Sequence, residues 1–222
     1  MLTKYGIDNI IVMLIAGFVL ITISAFFIRG WISILLFILG LILVVMTFIF
    51  FRDPERKIPL VAIDNENIIL SPADGKVVDI SETYENYYIN GSCIKISIFL
   101  SPLDVHVNRS PVTGIVEFYK YIKGDYLVAY HPKSSELNEQ SIIGVKTIYG
   151  KVVFKQIVGI LARRLVCDLK EGDSIKAGER FGMMKFGSRM DVFFEKNAEI
   201  NVKIGDKVVG GVSILAKMKL IN

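Results

Sequence analysis

One short segment near the middle of the chain carries an unusual set of polar side chains. It follows the apolar run 93–100, and its polar residues are interspersed with Leu, Val and Val: Asp104, His106, Asn108 and Arg109. On an extended chain these four are expected to share one face. Burying an acid, an imidazole, an amide and a guanidinium together is costly without a purpose. The segment is therefore a candidate for acid–base chemistry.

Two further segments contain residues that suit chemistry at a turn. The stretch SPADGK at 71–76 places Asp74 between a proline and a glycine, and it is also an ordinary turn sequence. The stretch KFGSRMD at 185–191 contains Gly187-Ser188. Glycine permits a strained backbone, and serine supplies a hydroxyl next to the preceding carbonyl. Taken alone, a Gly-Ser pair says little.

The remaining residues exclude most common enzyme classes. The chain has two histidines, His106 and His131, and no metal-ligand spacing, so no metal is expected. No G-x-S-x-G, Walker A or G-x-G-x-x-G motif occurs. Cys93 and Cys167 are isolated, which is typical of reduced thiols in a cytosolic domain.

The elements that must position these residues are mainly β-strands. Short runs rich in β-branched and aromatic residues, separated by glycine turns, predict strands at 93–100, 112–121, 142–148, 151–161 and 208–218. The polar stretch 132–141 predicts a loop or a short helix. The fold class is therefore mainly β, a β-rich α+β domain.

A weak internal repeat suggests how the strands are arranged. Residues 169–182 and 202–215 align at an offset of 33, with matching Lys, Gly-Asp and Gly positions. The pattern is similar to the flattened β-sandwich of biotinyl and lipoyl carrier domains, which predicts a pseudo-symmetric barrel-sandwich. Chance recurrence of Gly-Asp turns is the simpler alternative.

The first 51 residues predict a membrane anchor. They contain only three charged residues, Lys4, Asp8 and Arg29. The charge-free runs 10–28 and 31–51 are each long enough to cross a bilayer, and only Arg29-Gly30 separates them. We therefore expect a transmembrane helical hairpin at 1–51, followed by a catalytic domain at 52–222. A cleaved signal peptide is disfavoured because a second span follows directly.

Charge indicates the orientation and the partner. Lys4 precedes the first span, and Arg52, Arg56 and Lys57 follow the second, which predicts a cell-membrane protein with its domain on the cytoplasmic side. The net charge of +4 suits an anionic lipid surface. No basic block occurs, so nucleic acid is not an expected partner.

Together, the motifs resemble one enzyme family. From residue 50 to the C-terminus the sequence resembles the short form of the phosphatidylserine decarboxylase family, including its archaeal archaetidylserine branch. The matching stretches, in family order, are FFRDPER at 50–56, SPADGKV at 71–77, FLSPLDVHVNRSPVTG at 99–114, SSELNEQ at 134–140, ARRLVCDLKEGDSIKAGERFGMMKFGSR at 162–189 and IGDKV at 204–208.

The resemblance implies a self-processing pyruvoyl enzyme. The family cuts itself between the Gly and Ser that match Gly187 and Ser188, giving a large chain 1–187 and a small chain 188–222. The resulting ester eliminates, ammonia is lost, and Ser188 becomes a pyruvoyl cofactor. This group forms a Schiff base with the serine headgroup of a glycerophospholipid and releases CO₂, leaving an ethanolamine headgroup.

The resemblance also assigns roles to two other residues. Asp74 and His106 match the Asp–His pair that activates the serine, by the logic of a serine-protease triad. His106 is then also the natural proton donor after decarboxylation. Longer members have a second histidine where this chain has Arg109, so two histidines cannot share these tasks at this site. Either His106 performs both tasks, or another group helps.

The substrate and assembly are defined less closely. A phosphodiester favours nearby cations. The first candidates are Arg109 and Arg189, and the further candidates are Arg163, Arg164 and Lys185. Either phosphatidylserine or archaetidylserine fits as the substrate. A homodimer is one possible assembly. Two alternatives remain: a biotinyl or lipoyl carrier with Lys185 at a hairpin, and a non-enzymatic membrane-anchored barrel-sandwich adaptor.

Overall fold

The computed structural model describes residues 1–124, 138–159, 165–185 and 188–219. The chain divides into two units, Met1–Glu55 and Arg56–Asn222. The first is helical and the second is strand-rich. The predicted fold class, a mainly β domain preceded by two apolar helices, is confirmed.

The N-terminal unit consists of a short 3₁₀ turn and two long helices, α1 at Ile7–Phe26 and α2 at Trp31–Phe50. Both helices are long and apolar enough to cross a membrane. The first helix begins three residues before the charge-free run because it includes Asp8, whose carboxylate is favourable in a first turn. Gly30, with φ 81°, reverses the chain between the helices.

Small and hydroxyl residues bring the two helices together. A Cβ on Gly17 would lie 3.0 Å from the carbonyl oxygen of Gly40, and a Cβ on Gly40 would lie 2.7 Å from that of Gly17. At the turn end, the hydroxyls of Ser24 and Ser33 each donate to the other residue's carbonyl, at 2.8 and 2.7 Å. This is how apolar helices associate where lipid removes the hydrophobic driving force.

In its described residues, the second unit contains the short helix α3 at Leu60–Asp64 and fourteen strands. The strands are β1 Ile68–Leu70, β2 Gly75–Glu85, β3 Gly91–Leu100, β4 Val107–Arg109, β5 Gly114–Ile122, β6 Gln140–Thr147, β7 Gly150–Val158, β8 Leu165–Cys167, β9 Ser174–Ile175, β10 Arg180–Met184, β11 Ser188–Phe194, β12 Glu199–Ile200, β13 Lys207–Val208 and β14 Ile214–Lys217.

One of the predicted strands is wrong, and one predicted loop lies mostly outside the described residues. The run 208–218 is two strands, β13 and β14, because a turn at Val209–Ser213 separates them. The stretch 132–141 ends in a strand, since β6 begins at Gln140, while residues 132–137 lie outside the described part. The other four predicted strands correspond to β3, β5, β6 and β7, with ends that shift by up to three residues.

One eight-stranded antiparallel sheet organises the domain, in the order β13-β2-β3-β11-β7-β6-β5-β9. The order is symmetric about the β11–β7 pair, so each half contains a long hairpin edged by a two-residue strand. Two three-stranded sheets, β1-β14-β12 and β4-β10-β8, complete it. Side chains of β2, β3, β7 and β11 supply much of the main core, which includes Val77, Ile98, Phe154 and Val192.

The internal repeat is real and lies at the two edges of this sheet. Asp173 and Asp206 each accept from the backbone N–H three residues earlier, at 2.8 and 3.0 Å. The glycines before them, Gly172 and Gly205, have φ 94° and 99° and donate to Val116 and Val77 respectively. The turns therefore hold β5 and β2 in the same way, as the pseudo-symmetric prediction requires.

Candidate active site

Ser188 is the first residue of β11, and it is buried on all sides. It pairs with Leu100 of β3 and with Val158 of β7. The side chain is 0% exposed, and its Oγ has no hydrogen-bond partner among the described residues. A buried hydroxyl without a partner is costly, so it marks a position kept for something other than stability.

Several predicted residues lie outside the described part of the chain. Gly187 is one of them, so only the serine side of the predicted cleavage bond is visible. His131, Arg163 and Arg164 are also outside it. Lys185 is the last described residue before Gly187 and is only 6% exposed.

His106 is buried and has a defined proton on one ring nitrogen. Its Nδ1 lies 2.9 Å from the carbonyl oxygen of Asp104. A carbonyl oxygen can only accept a hydrogen bond, so Nδ1 carries the proton. In the neutral imidazole, Nε2 then holds the lone pair, and this atom is buried in the interior. The ring is therefore prepared to accept a proton at Nε2.

The topology places His106 beside the predicted cleavage segment. The His106 carbonyl accepts from the N–H of Met184, the last residue of β10. Just beyond, the chain passes from β10 into β11, which pairs with β3. The His106 backbone therefore lies next to the end of β10, four residues along the chain from Ser188.

The expected polar face at 104–109 does not form. Asp104 belongs to a turn, in which its N–H donates to Ser101 and its carboxylate accepts from the Ser101 N–H at 2.8 Å. Asn108 and Arg109 are consecutive residues of β4, so they point to opposite sides. The segment instead consists of a turn, in which Asp104 orients His106, and the strand β4, on which Asn108 and Arg109 point to opposite faces.

Asp74 is held by partners other than the one the resemblance assigned. Its Oδ2 accepts from Nη2 of Arg56 at 2.7 Å, and its Oδ1 accepts from the N–H of Gly210 at 2.8 Å. Both carboxylate oxygens are thus engaged, while His106 is oriented by Asp104. Among the described residues the structure does not bring Asp74 and His106 into a hydrogen bond, so their pairing stays a prediction.

The two predicted phosphate ligands are both buried and engaged within the protein. Arg109 is 6% exposed and donates from Nη1 to the carbonyl of Gly178 at 3.0 Å. The Arg189 guanidinium faces the Asp191 carboxylate, with Nε to Oδ1 at 2.9 Å and Nη2 to Oδ2 at 3.1 Å. Arg189 is therefore largely neutralised by a residue on its own strand.

A buried amide network beside the site was not predicted. Gln156 of β7 accepts from the Ser141 hydroxyl at 2.7 Å and donates to Asn108 Oδ1 at 2.8 Å. Asn138 donates to the carbonyl of Val158, the residue that pairs with Ser188. In the sequence, the only indication of this network is that polar residues occur within predicted strands. That pattern does not show which of these side chains form hydrogen bonds with each other.

The two thiols are not placed to act as nucleophiles. Burial raises the pKa of Cys93 and of Cys167 to about 11, so at neutral pH both stay protonated. Among the described residues, no three metal-ligating side chains form a group that could hold a metal ion. The Ser188 hydroxyl suits attack on a carbonyl, and the His106 imidazole suits proton transfer at Nε2.

Comparison with known proteins agrees with this chemistry. The chain matches the family described as phosphatidylserine decarboxylase over residues 44–216. It is 51% identical to the phosphatidylserine decarboxylase proenzyme of Salinibacter ruber over 170 residues, 76% of this chain and 74% of that one.

Two further relatives cover more of the chain. The proenzyme of Carboxydothermus hydrogenoformans is 43% identical over 90% of both chains. That of Chlorobaculum tepidum is 38% identical over 97% of both chains, which includes the two apolar helices. The chain therefore belongs to the phosphatidylserine decarboxylase family of enzymes.

Proposed function

We propose that this protein removes CO₂ from the serine headgroup of a glycerophospholipid, after cutting itself between Gly187 and Ser188. The observation that carries the proposal is the Ser188 hydroxyl, buried at the start of a core strand with no hydrogen-bond partner among the described residues. The relatives named above are proenzymes of phosphatidylserine decarboxylases, which supports the same substrate class.

Ser188 fits the formation of a pyruvoyl group. The residue must supply a β-hydroxyl that can first attack and then leave, and a serine does so. Its place at the first position of β11 means that a new chain end there would disturb no strand pairing after it. A pyruvoyl group at this position supplies a carbonyl that withdraws electrons from the bond to the departing CO₂.

Self-cleavage follows from the chain's own groups. The Ser188 hydroxyl gives its proton to Nε2 of His106 and attacks the Gly187 carbonyl carbon. The Gly187–Ser188 C–N bond breaks, the amine takes up the proton, and an ester joins the two residues. A base then takes the Ser188 Cα proton, the Cβ–O bond breaks and Gly187 leaves as a carboxylate. A proton adds to Cβ, and water replaces the nitrogen, which leaves as ammonia.

His106 has a second task in turnover. Loss of CO₂ leaves an electron pair on the headgroup carbon, and a proton must be delivered to it. The bond from Nδ1 to the Asp104 carbonyl fixes the ring, so Nε2 is the nitrogen that exchanges protons in both reactions. One histidine thus serves where longer family members have two.

Phosphate binding by Arg109 or Arg189 requires a change of partners. Arg189 would have to share its guanidinium between Asp191 and the phosphate, whereas the acceptor that faces Arg109 Nη1 is a neutral carbonyl. We therefore place the phosphate nearer Arg109. A Km that rises in Arg109→Lys, with kcat kept, supports this assignment, because lysine loses the planar, forked geometry.

The two helices are proposed to span the cell membrane, with the catalytic domain on the cytoplasmic side. Lys4 and the Arg52–Lys57 segment lie at the ends that the positive-inside rule places in the cytoplasm. An anchored domain can reach a headgroup while the lipid stays in the bilayer. Cysteine labelling at the Arg29–Gly30 turn in intact cells tests this orientation.

The carrier alternative is not favoured by the geometry. A swinging lipoyl or biotinyl lysine must stand exposed at the tip of a hairpin, but Lys185 is 6% exposed and follows the buried Met184. An adaptor would give no reason for a buried hydroxyl at Ser188 that has no hydrogen-bond partner within the described part of the chain. A mass gain at Lys185 would contradict the proposed function.

The decisive experiment is intact mass analysis of the purified full chain, with CO₂ release from phosphatidylserine and from archaetidylserine. Two chains ending and starting at 187/188, the smaller blocked to Edman sequencing, support the proposal. A purified chain that remains uncleaved would contradict the proposed function. Native mass spectrometry of the same sample decides between monomer and homodimer.

A further inference from the structure

Two loops in the catalytic domain are built alike. We name Ser71–Gly75 the first serine loop and Ser110–Gly114 the second serine loop. In each, the serine hydroxyl donates to the carbonyl two residues later at 2.7 Å. In each, the final glycine begins a strand, and a Cβ on it would lie 2.3 Å from a carbonyl of the neighbouring strand. The pseudo-symmetry of the sheet therefore extends to these loops.

The fourth residue of the two loops is the one that differs in charge. In the first loop, Asp74 Oδ1 accepts from the N–H of Gly210 at 2.8 Å. In the second, Thr113 Oγ1 accepts from the N–H of Ala177 at 3.0 Å. Ala177 and Gly210 are themselves equivalent in the internal repeat. In both loops this residue therefore accepts one backbone hydrogen bond, which a neutral hydroxyl accepts in the second loop.

What Asp74 adds is a second oxygen and a negative charge. That oxygen, Oδ2, accepts from Arg56 at 2.7 Å, and the two side chains are 18% and 17% exposed. Arg56 lies six residues after the end of α2, in the segment that leaves the apolar helices. Partial burial makes such a pair more strongly coupled than a surface ion pair.

We propose that Arg56 is a positioning residue for self-cleavage, acting through Asp74; this rests on the proposed function. The first serine loop packs against the end of β3, because Gly75 lies against the Phe99 carbonyl. The next residue, Leu100, pairs with Ser188. By neutralising and orienting the Asp74 carboxylate, Arg56 keeps this loop, and with it the strand end beside Ser188, in the geometry that self-cleavage needs.

The test uses the full chain, translated without cells into nanodiscs, with conversion of the precursor followed on gels over time. Arg56→Gln is expected to slow conversion roughly tenfold, and Arg56→Lys to restore most of the rate because it retains the charge. Lys57→Gln is the matched control, since Lys57 is the adjacent, exposed cation. It should convert at the rate of the unchanged chain.

Coupling shows whether Arg56 acts through Asp74. Asp74→Thr copies the second loop, so it retains the acceptor for Gly210 and should fold. Adding Arg56→Gln to Asp74→Thr should slow conversion no further, because the partner is already absent.

Low millimolar guanidinium should accelerate Arg56→Ala but not Asp74→Thr, with sodium at equal ionic strength as the control. A purely structural loss would not respond to guanidinium.

Three results would overturn the inference. One is an Arg56→Gln chain that converts at the unchanged rate. The second is equal slowing in Arg56→Lys and Arg56→Gln, which would show that charge is not what matters. The third is additive slowing in the double variant. If the unchanged chain itself never converts, the proposed function fails instead, so the two failures are distinguishable.

Discussion

Ser188 and Leu100 form a backbone pair that joins the start of β11 to the end of β3. In the symmetric half of the sheet, β6 and β7 are joined by a direct hairpin between Thr147 and Gly150. At Leu100 and Ser188 no such turn exists, because the chain leaves the sheet at one residue and returns at the other. Cleavage before Ser188 therefore opens a connection without removing a strand from the sheet.

Ser188→Ala should remain one chain of 24.9 kDa and release no CO₂. The substitution removes the attacking hydroxyl but no hydrogen bond to a described residue, so its unfolding temperature should equal that of the uncleaved precursor or exceed it slightly. Mass spectrometry and thermal unfolding check both expectations. A marked loss of stability would show that the hydroxyl has a structural partner.

The two chains should stay associated after cleavage. The small chain would contain β11, which lies between β3 and β7, and β14, which pairs with β1. Its core residues Met190, Val192 and Phe194 are buried in the main cluster. Affinity purification through a tag on residue 222 should recover the large chain, and only denaturant should separate them. Recovery of the small chain alone in mild detergent would contradict this.

His106→Asn should block self-cleavage while it preserves the fold. The asparagine amide can still donate to the Asp104 carbonyl as Nδ1 does, but it offers no basic nitrogen. Loss of a general base slows such reactions by about 10²- to 10⁴-fold. The conversion rate measures this, and normal conversion would show that another group is the base. Asn9→Ala, in the N-terminal unit, provides an unrelated control.

Gln156→Leu should destabilise the catalytic domain by about 2 kcal/mol, because Ser141 and Asn108 lose a buried partner. For a domain of this size the unfolding temperature should fall by about 5 °C. Thermal unfolding of the Ser188→Ala background avoids mixing precursor and product. Lys57→Leu, at an exposed position, should leave the temperature unchanged.

Both cysteines should react slowly in the folded protein. Burial raises their pKa from 9.0 to about 11, so the thiolate fraction at pH 8 is about a hundredfold smaller than for a free thiol. Reactivity should rise with pH up to about 11 and should increase sharply on unfolding. Alkylation followed by mass spectrometry checks this, and rapid labelling at pH 8 would contradict it.

Elements that depend on a local residue pattern could be predicted from the amino-acid sequence. Two charge-free runs of helical length predicted α1 and α2, and period-two alternation predicted β3, because burial of one face imposes that period. The Gly-Asp spacing predicted the repeat, since positive φ at Gly172 and Gly205 is a local requirement. Motif order was enough to identify the family.

The contacts between polar groups could not be predicted in this way, because they depend on how the strands pack. Asp74 is engaged by Arg56 and Gly210, 18 and 136 residues away, and His106 is oriented by a main-chain carbonyl that no side-chain motif encodes. The polar face expected at 104–109 failed because a turn replaced extended chain at Asp104. Hydrogen bonds depend on distances of a few tenths of an ångström between strands remote in sequence, and the packing of the whole sheet sets those distances.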